Sequence, residues 1–342
     1  METEIIPLAQ HSKWNEVVML ASNYDFYHLS SYHFLDQVGD PFLIKVSDGK
    51  KFIAIPLIKR SIDDTEYFDC TSAYGYAGPI TNLNDDDQKL DLIRFFHTEL
   101  ANFCAAENII SVFSRLHPLL LQEPLLESLG SIETLNKTVT IDLRRTLDEQ
   151  RKQYRKSTKS EVNQLRRKGY EIRVASADEQ VQTFASIYTE TMLRVEATKN
   201  YFFEFDYFHK FLQAPDFSSK LLLAYKDDVM TAGAIFTETK NFMQYHLAGT
   251  RAEFMKDTPM KLIIDEARIQ GTNTGLSYLH LGGGVGGVND DPLFRFKSGF
   301  SDIYFLFKVW KYVVNDSIYK TLSEQKAAIK PLNSSHFPLY RG

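Results

Sequence analysis

The residues best suited to chemistry lie together in LHLGGGVGGVNDDPLFRFKSGFS, residues 279–301. Lys297 stands between Phe296 and Phe300. If both rings pack inward, its ammonium is partly desolvated and suited to meet developing negative charge; a surface lysine with a snorkelling stem is the plain alternative. Asp290 and Asp291 precede it and can orient an incoming ammonium or take its proton, although Asn-Asp-Asp-Pro is also ordinary turn chemistry. Gly282, Gly283 and Gly284, with Gly286 and Gly287, would let a substrate reach the main chain with no Cβ in the way. A dinucleotide loop is not expected: the glycine density resembles GxGxxG, but no helix-capping register follows and Pro292 interrupts the helix. The chemistry that fits is amide formation from an activated ester, which needs an uncharged amine, a stabilised oxyanion and alignment. Alignment supplies ~7–11 kcal/mol, and one well-placed donor ~3 kcal/mol.

Other candidates are more scattered. Tyr74, Gly75 and Tyr76 form an aromatic platform that could grip a sugar or peptide face, or simply rim a sheet. Tyr201, with Phe202 and Phe203, follows a helix bearing Arg194 and could line the acceptor side. His246 alternates with Gln244 in FMQYHLAGT, so both should face one way and Tyr245 the other. His246 is a candidate for acid–base work, against the plainer reading of a hydrogen-bonded strand histidine. Between Arg144 and Gly169 there are ten Lys/Arg against three Asp/Glu. This basic helix, with Arg155, Lys159, Arg166 and Arg167, either faces water or attracts the phosphates of a nucleotide-sugar, lipid diphosphate or tRNA.

The elements that must position these groups repeat. FLIKVSDG and KKFIAIPLIKR read as a hairpin turning at Asp48-Gly49. EYFDCTSAYGYAGPI is a third extended stretch, Asn84 to Asp87 offer helix caps, QKLDLIRFFHTELANFCAAE has helical apolar spacing, and IISVFSRL is a strand. The second half repeats this: KLLLAYKDDVMTAGAIFTE is a hairpin turning at Asp227-Asp228, and NFMQYHLAGT a strand. PMKLIIDEARIQ follows as a helix capped by Thr258, opened by Pro259 and ended by Gly271, and LSYLHLG closes the unit. VQTFASIYTETML adds an earlier helix with Val181, Phe184, Tyr188 and Met192 along one stripe. The fold class is α/β (α+β), with two similar domains facing a shared cleft. They cover 1–140, with 303–342 packing back on the first, and 141–302.

Composition narrows the class. With 342 residues, 44% hydrophobic and 24% charged, the chain can bury a large core without disulfide or metal. Cys70 and Cys104 are the only cysteines; reduced thiols, no metal site and a cytoplasmic setting are expected. No run of apolar residues is long enough to span a bilayer. The net charge of −5 argues against general coating of nucleic acid.

Three stretches together resemble the FemA/FemB-like branch of the GNAT-fold N-acyltransferases, the peptidoglycan bridge-forming aminoacyltransferases among them. They are SAYGYAGPI, the basic segment ending RRKGYEIRV, and LHLGGG…DDPLFRFKSGFS, in an order that spans about 42–307. The resemblance implies two GNAT-like domains, each a mixed, mostly antiparallel sheet with flanking helices. It also implies transfer of an acyl or aminoacyl group onto an amine of a cell-envelope or polysaccharide precursor. It places the family's Phe-Lys pair on Phe296 and Lys297. No bound cofactor is implied; acyl-CoA, acyl-carrier protein or aminoacyl-tRNA serves as co-substrate, and the acceptor is a small or lipid-linked phosphate-bearing molecule. The loop AGTRAEFMKDTP has Gly249 alone where CoA enzymes of this fold carry a glycine-rich pyrophosphate cradle, so CoA held in the usual manner is not expected. A non-catalytic module binding an anionic glycan or nucleotide, and an RNA-binding protein, are the readings from other classes.

Overall fold

The computed structural model describes residues 1–35, 38–84, 89–284, 291–333 and 336–342. Gly286, Gly287, Asp290 and the expected caps at 85–87 lie outside these. The chain forms two compact units, Met1–Leu135 with Leu306–Gly342, and Asn136–Phe305.

The first unit opens with β1 (Glu2–Pro7), α1 (His11–Leu20) and α2 (Ser30–Leu35). The hairpin β2 (Asp40–Asp48) and β3 (Lys51–Ser61) turns at Gly49, whose φ of 58° is the left-handed conformation glycine adopts freely. The third extended stretch is broken into β4 (Phe68–Thr71) and β5 (Ile80–Thr81). Between them the chain loops out through Gly75 at φ 111°, where a Cβ would lie 2.1 Å from the Tyr27 ring. Helix α3 (Lys89–Ala106) sets Leu92, Phe96, Leu100 and Cys104 at four-residue intervals into a core with Ile44, Ile55, Val112 and Trp310. Strand β6 (Ile109–Arg115) runs parallel to β4.

The second unit takes up most of β7 (Ser131–Asp142), then the basic segment. That segment is not one helix. It divides into α4 (Leu147–Gln153) and α5 (Lys156–Arg167), because Tyr154 and Arg155 are extended, with ψ near 138° and 148°. Strand β8 (Glu171–Val174) is followed by α6 (Asp178–Arg194), whose Val181, Phe184 and Tyr188 are buried and Met192 partly so, and then α7 (Phe205–Leu212). The hairpin β9 (Ser218–Lys226) and β10 (Val229–Glu238) turns on two left-handed aspartates, Asp227 and Asp228, at φ 49° and 60°, the geometry that matches strand twist. Strand β11 (Phe242–Thr250), helix α8 (Met260–Asn273), β12 (Tyr278–Gly282) and α9 (Pro292–Lys297) complete the unit. Its strands are ordered β7-β12-β11-β10-β9-β8.

Two expected helix boundaries differ. Thr258 does not cap α8; it is left-handed at φ 55° and ends a short 3-10 turn over Ala252–Asp257. Gly271 does not end the helix either. A Cβ there would meet Leu143 Cδ1 at 2.8 Å, so the glycine serves close packing, and the left-handed Gly275 provides the stop.

The chain ends with β13 (Ile303–Val313), which pairs β6 from Val309 to Val313, and α10 (Asp316–Ile329). No helix among the described residues is long and apolar enough to cross a membrane. Both cysteines are buried free thiols, and burial pushes Cys104 up to about 12.

Candidate functional site

Parallel strand pairs sit at equivalent places in the two units, and they behave differently. In the first, β4 and β6 pair from Phe68 to Thr71, and β6 stays bridged beyond: Ser72 N–H donates to Phe113 O at 2.9 Å and Gly78 N–H to Arg115 O at 3.1 Å. In the second, β11 and β12 pair only through Phe242–Tyr278, Met243–Leu279 and Gln244–His280, although β11 continues to Thr250. From Tyr245 onward, β11 has no strand partner on this edge among the described residues. An edge left open in this way can hydrogen-bond an extended ligand through its main chain.

Lys297 lies beside this opening. Helix α9 is fixed at its start by Asp291, whose Oδ1 accepts from Leu293 N–H at 2.7 Å and Phe294 N–H at 3.2 Å, with Pro292 at the first helical position. The expectation that Pro292 would interrupt a helix is thus reversed: it opens one. Lys297 is the last residue of α9 and is 7% exposed. Its Nζ donates to Gly283 O at 2.7 Å and lies 5.6 Å from the Tyr245 ring. Burial lowers its pKa to about 8, with Asp291 pulling the other way. The flanking rings do not sandwich it: Phe296 and Phe300 pack on each other, centroids 5.8 Å apart, against the core.

The glycines have separate reasons. Gly282 is left-handed at φ 74°. At Gly283 a Cβ would approach Lys137 O at 3.1 Å and Asn136 Oδ1 at 3.2 Å. At Gly284 it would lie 2.0 Å from Asp291 Oδ2 and 2.4 Å from its Cγ. What approaches the main chain at Gly284 is therefore the Asp291 carboxylate. That Oδ2 is buried and has no hydrogen-bond partner among the described residues, so it retains accepting capacity for an amine proton. Gly284→Ala is expected to displace Asp291 and loosen α9, at about 1–3 kcal/mol. A thermal melt would register this, with Gly284→Val worse.

His246 and Tyr245 point apart, as alternation implies: Tyr245 packs with Met243 and Phe236 in the core cluster, and His246 turns to α7. Register skips His246, Tyr245 pairing Phe236 and Leu247 pairing Ile235, so simple alternation is lost only beyond this bulge. Its ring stacks on Phe211 of α7, centroids 4.8 Å apart. The histidine at the last β11–β12 rung is His280, whose Nδ1 donates to Gln244 Oε1 at 2.7 Å. Thr237, Gln244, His280 and Thr140 stand in register on four neighbouring strands, all buried. Sequence reading passed over this row, although His280 and Thr140 are the polar members between Leu279 and Leu281 and between Val139 and Ile141.

The basic residues are largely committed within the fold. Arg166 donates to Asp265 Oδ2 at 2.6 Å. Asp265 is fully buried and also receives Arg151 at 3.3 Å, Arg268 at 3.1 Å and the Tyr154 hydroxyl at 2.9 Å. Lys159 donates to Lys152 O at 3.1 Å. Arg155 donates to Arg295 O and Ser298 Oγ. Arg167 is exposed. Arg194 donates to Thr250 O at 3.0 Å and pairs with Glu190, anchoring α6 to the end of β11. Tyr201 is half-buried on a short 3-10 turn. The platform belongs to the first unit: Tyr74 is 44% exposed with the Arg115 guanidinium 5.6 Å over its ring, while Tyr76 packs on His117 and Phe307.

Residues 152–297 match the acetyltransferase (GNAT) domain family, the match ending on Lys297 itself. No curated protein matches the sequence. Among solved structures, FemX is 14% identical with a TM-score of 0.73, over 94% of this chain and 99% of its own. L-PGS from Bacillus licheniformis is 14% identical with a TM-score of 0.60, over 91% and 94%. The C-terminal domain of a putative lysylphosphatidylglycerol synthetase from Agrobacterium fabrum is 15% identical with a TM-score of 0.57, over 94% and 97%. Residues 152–297 are thus an acetyltransferase domain of the GNAT kind, in a chain that has the fold of FemX.

Proposed function

We propose that this chain is an N-acyltransferase that moves an acyl or aminoacyl group onto an amine of a cell-envelope precursor, in the cytoplasm. The observation that carries this reading is a buried lysine at the open β11–β12 edge, inside the segment matching the acetyltransferase domain. The likeness to FemX, and to a domain named for lysylphosphatidylglycerol synthesis, favours an aminoacyl group and an envelope acceptor.

In this reading the amine nitrogen attacks the ester carbonyl, its proton passing to Asp291 Oδ2. The Lys297 ammonium stabilises the oxygen that gains charge. The C–O bond then breaks, the amide remains, and the departing alkoxide takes up a proton. A cation placed in a dry site in this way is worth ~3 kcal/mol in the transition state.

For the donor, the loop before α8 is informative. Ala252 N–H, where a CoA pyrophosphate would be cradled, donates instead to Glu190 Oε1 at 2.7 Å. A carboxylate occupying that place repels phosphate, which favours aminoacyl-tRNA or acyl-carrier protein over CoA. The test is transfer by the purified chain given charged tRNA, acyl-carrier protein or acyl-CoA with candidate amines. Turnover with charged tRNA is expected, weakening as salt rises; turnover with acyl-CoA alone would remove the donor assignment.

A further inference from the structure

The basic segment drew attention as a place for phosphate, yet one of its arginines is spent on the helix that carries Lys297. Arg155 lies in the extended break between α4 and α5. Its backbone N–H donates to Gly299 O at 2.9 Å. Its guanidinium donates to Arg295 O at 3.2 Å and to Ser298 Oγ at 2.8 Å. Ser298 Oγ in turn donates to Arg295 O at 3.2 Å. On the next turn, Thr158 Oγ1 lies where a Cβ on Gly299 would come within 2.6 Å, so α5 and the 298–299 turn are in close contact.

The physical need is plain. Helix α9 has six residues, too few to be stable alone, and its last carbonyls have no partners within the helix. Asp291 satisfies the N-terminal donors. At the other end Phe294 O, Phe296 O and Lys297 O accept from Ser298, Gly299 and Phe300 N–H, and the Arg155 cation meets Arg295 O and the negative end of the helix dipole. A guanidinium does this better than an ammonium, because its planar fork reaches two acceptors at once.

We infer that Arg155 is a positioning residue for Lys297: it clamps the C-terminal end of α9 and so holds the Lys297 amine against Gly283 O beside the open strand edge. Its value is then rigidity of one amine, and phosphate contact has no part in it. The inference rests on the proposed transferase reading for its effect on turnover, but its structural half can be read without any substrate.

The experiment has two readouts on the full chain. The first is labelling of the Lys297 amine by a limiting acylating reagent, followed by peptide mass spectrometry. In the parent the buried amine labels slowly. Arg155→Ala should raise its labelling about tenfold by freeing α9 to open, with Lys261 and Lys308 labelling unchanged, as a global loss of structure would not allow. The second readout is transfer. Arg155→Ala should lower kcat about 10–100-fold with KM little altered, Arg155→Lys should recover part of it, and millimolar guanidinium ion should restore part of the alanine variant's rate.

If Lys297 labelling in Arg155→Ala matches the parent, the clamp is wrong. A rise in KM alone, with unchanged labelling, would also overturn it and return Arg155 to substrate phosphate. If labelling rises as expected while Lys297→Ala still transfers at the parent rate, the clamp stands and the catalytic role of Lys297 falls.

Discussion

Lys297→Ala is expected to lower kcat about 10²–10³-fold, with the chain still folded. Among the described residues the lysine donates to Gly283 O, a bond whose loss costs about 1 kcal/mol, whereas the transition state loses its cation. The pH dependence separates the two roles a lysine can play. Burial sets its pKa at about 8, so a lysine acting as the cation gives transfer that falls as pH rises through about 8. A lysine acting as base would give the opposite limb. Stability carries a matching signature. The folded-state pKa lies below the unfolded value of 10.5, so between about 8 and 10.5 the unfolded chain holds more protons, and stability rises with pH across that window. The full difference is about 3 kcal/mol. Lys297→Met should lack that rise and match or exceed the parent's stability below pH 8. Denaturant melts on either side of the window would check this, and a Met variant with the parent's pH slope would sink it.

Asp265→Ala should be the most destabilising single change in the second unit, by about 3–5 kcal/mol. The carboxylate is fully buried on α8 and compensates three arginines: Arg268, whose side chain is 3% exposed, and the more open Arg151 and Arg166. Without it, Arg268 keeps bonds to Leu147 O and Gln150 Oε1 but loses its partner carboxylate. Tyr154, whose pKa is raised by burial and then by Asp265, loses its acceptor. Asp265→Asn would spare the packing but not the charge and should be nearly as harmful. A fall in melting temperature of roughly 10 °C is the expected result. A fall confined to one or two degrees would mean that the arginines find solvent or other acceptors at little cost.

The legible part of this fold was its hairpins and amphipathic helices. Asp48-Gly49 and Asp227-Asp228 mark turns because their backbone must be left-handed, and that requirement is local. Phe96 and Leu100 mark a buried stripe for the same reason: spacing along one helix needs nothing from elsewhere. Lys297 and Asp291 were singled out through family resemblance and adjacency, and both are buried, Lys297 against Gly283 O and Asp291 at the start of α9. What stayed hidden depends on distant partners. Nothing near Arg166 announces Asp265, ninety-nine positions away, and a charge run looks solvated until its acceptor is known. Gly284 looked like room for substrate because a sequence cannot show which carboxylate folds over it. The bulge at His246 stayed hidden as well, since no local signal announces that the residues after it leave simple alternation. A careful reader could have found Asp265 and Arg268, since acid and base three apart on the apolar face of MKLIIDEARIQ demand partners.

The polar row from Thr237 through Gln244 and His280 to Thr140 has a consequence for how the second sheet assembles. Leu279, Leu281, Val139, Ile141 and Met243 alternate with these residues and lie in the apolar core. Sliding β12 by a single position would exchange the two sets, driving an imidazole into hydrocarbon and turning leucines toward amides and hydroxyls. Misaligned pairings thus carry a penalty on both sides at once, so the strand beside the open edge has one acceptable alignment during folding, and the main-chain carbonyl of Gly283 is delivered to the same height every time.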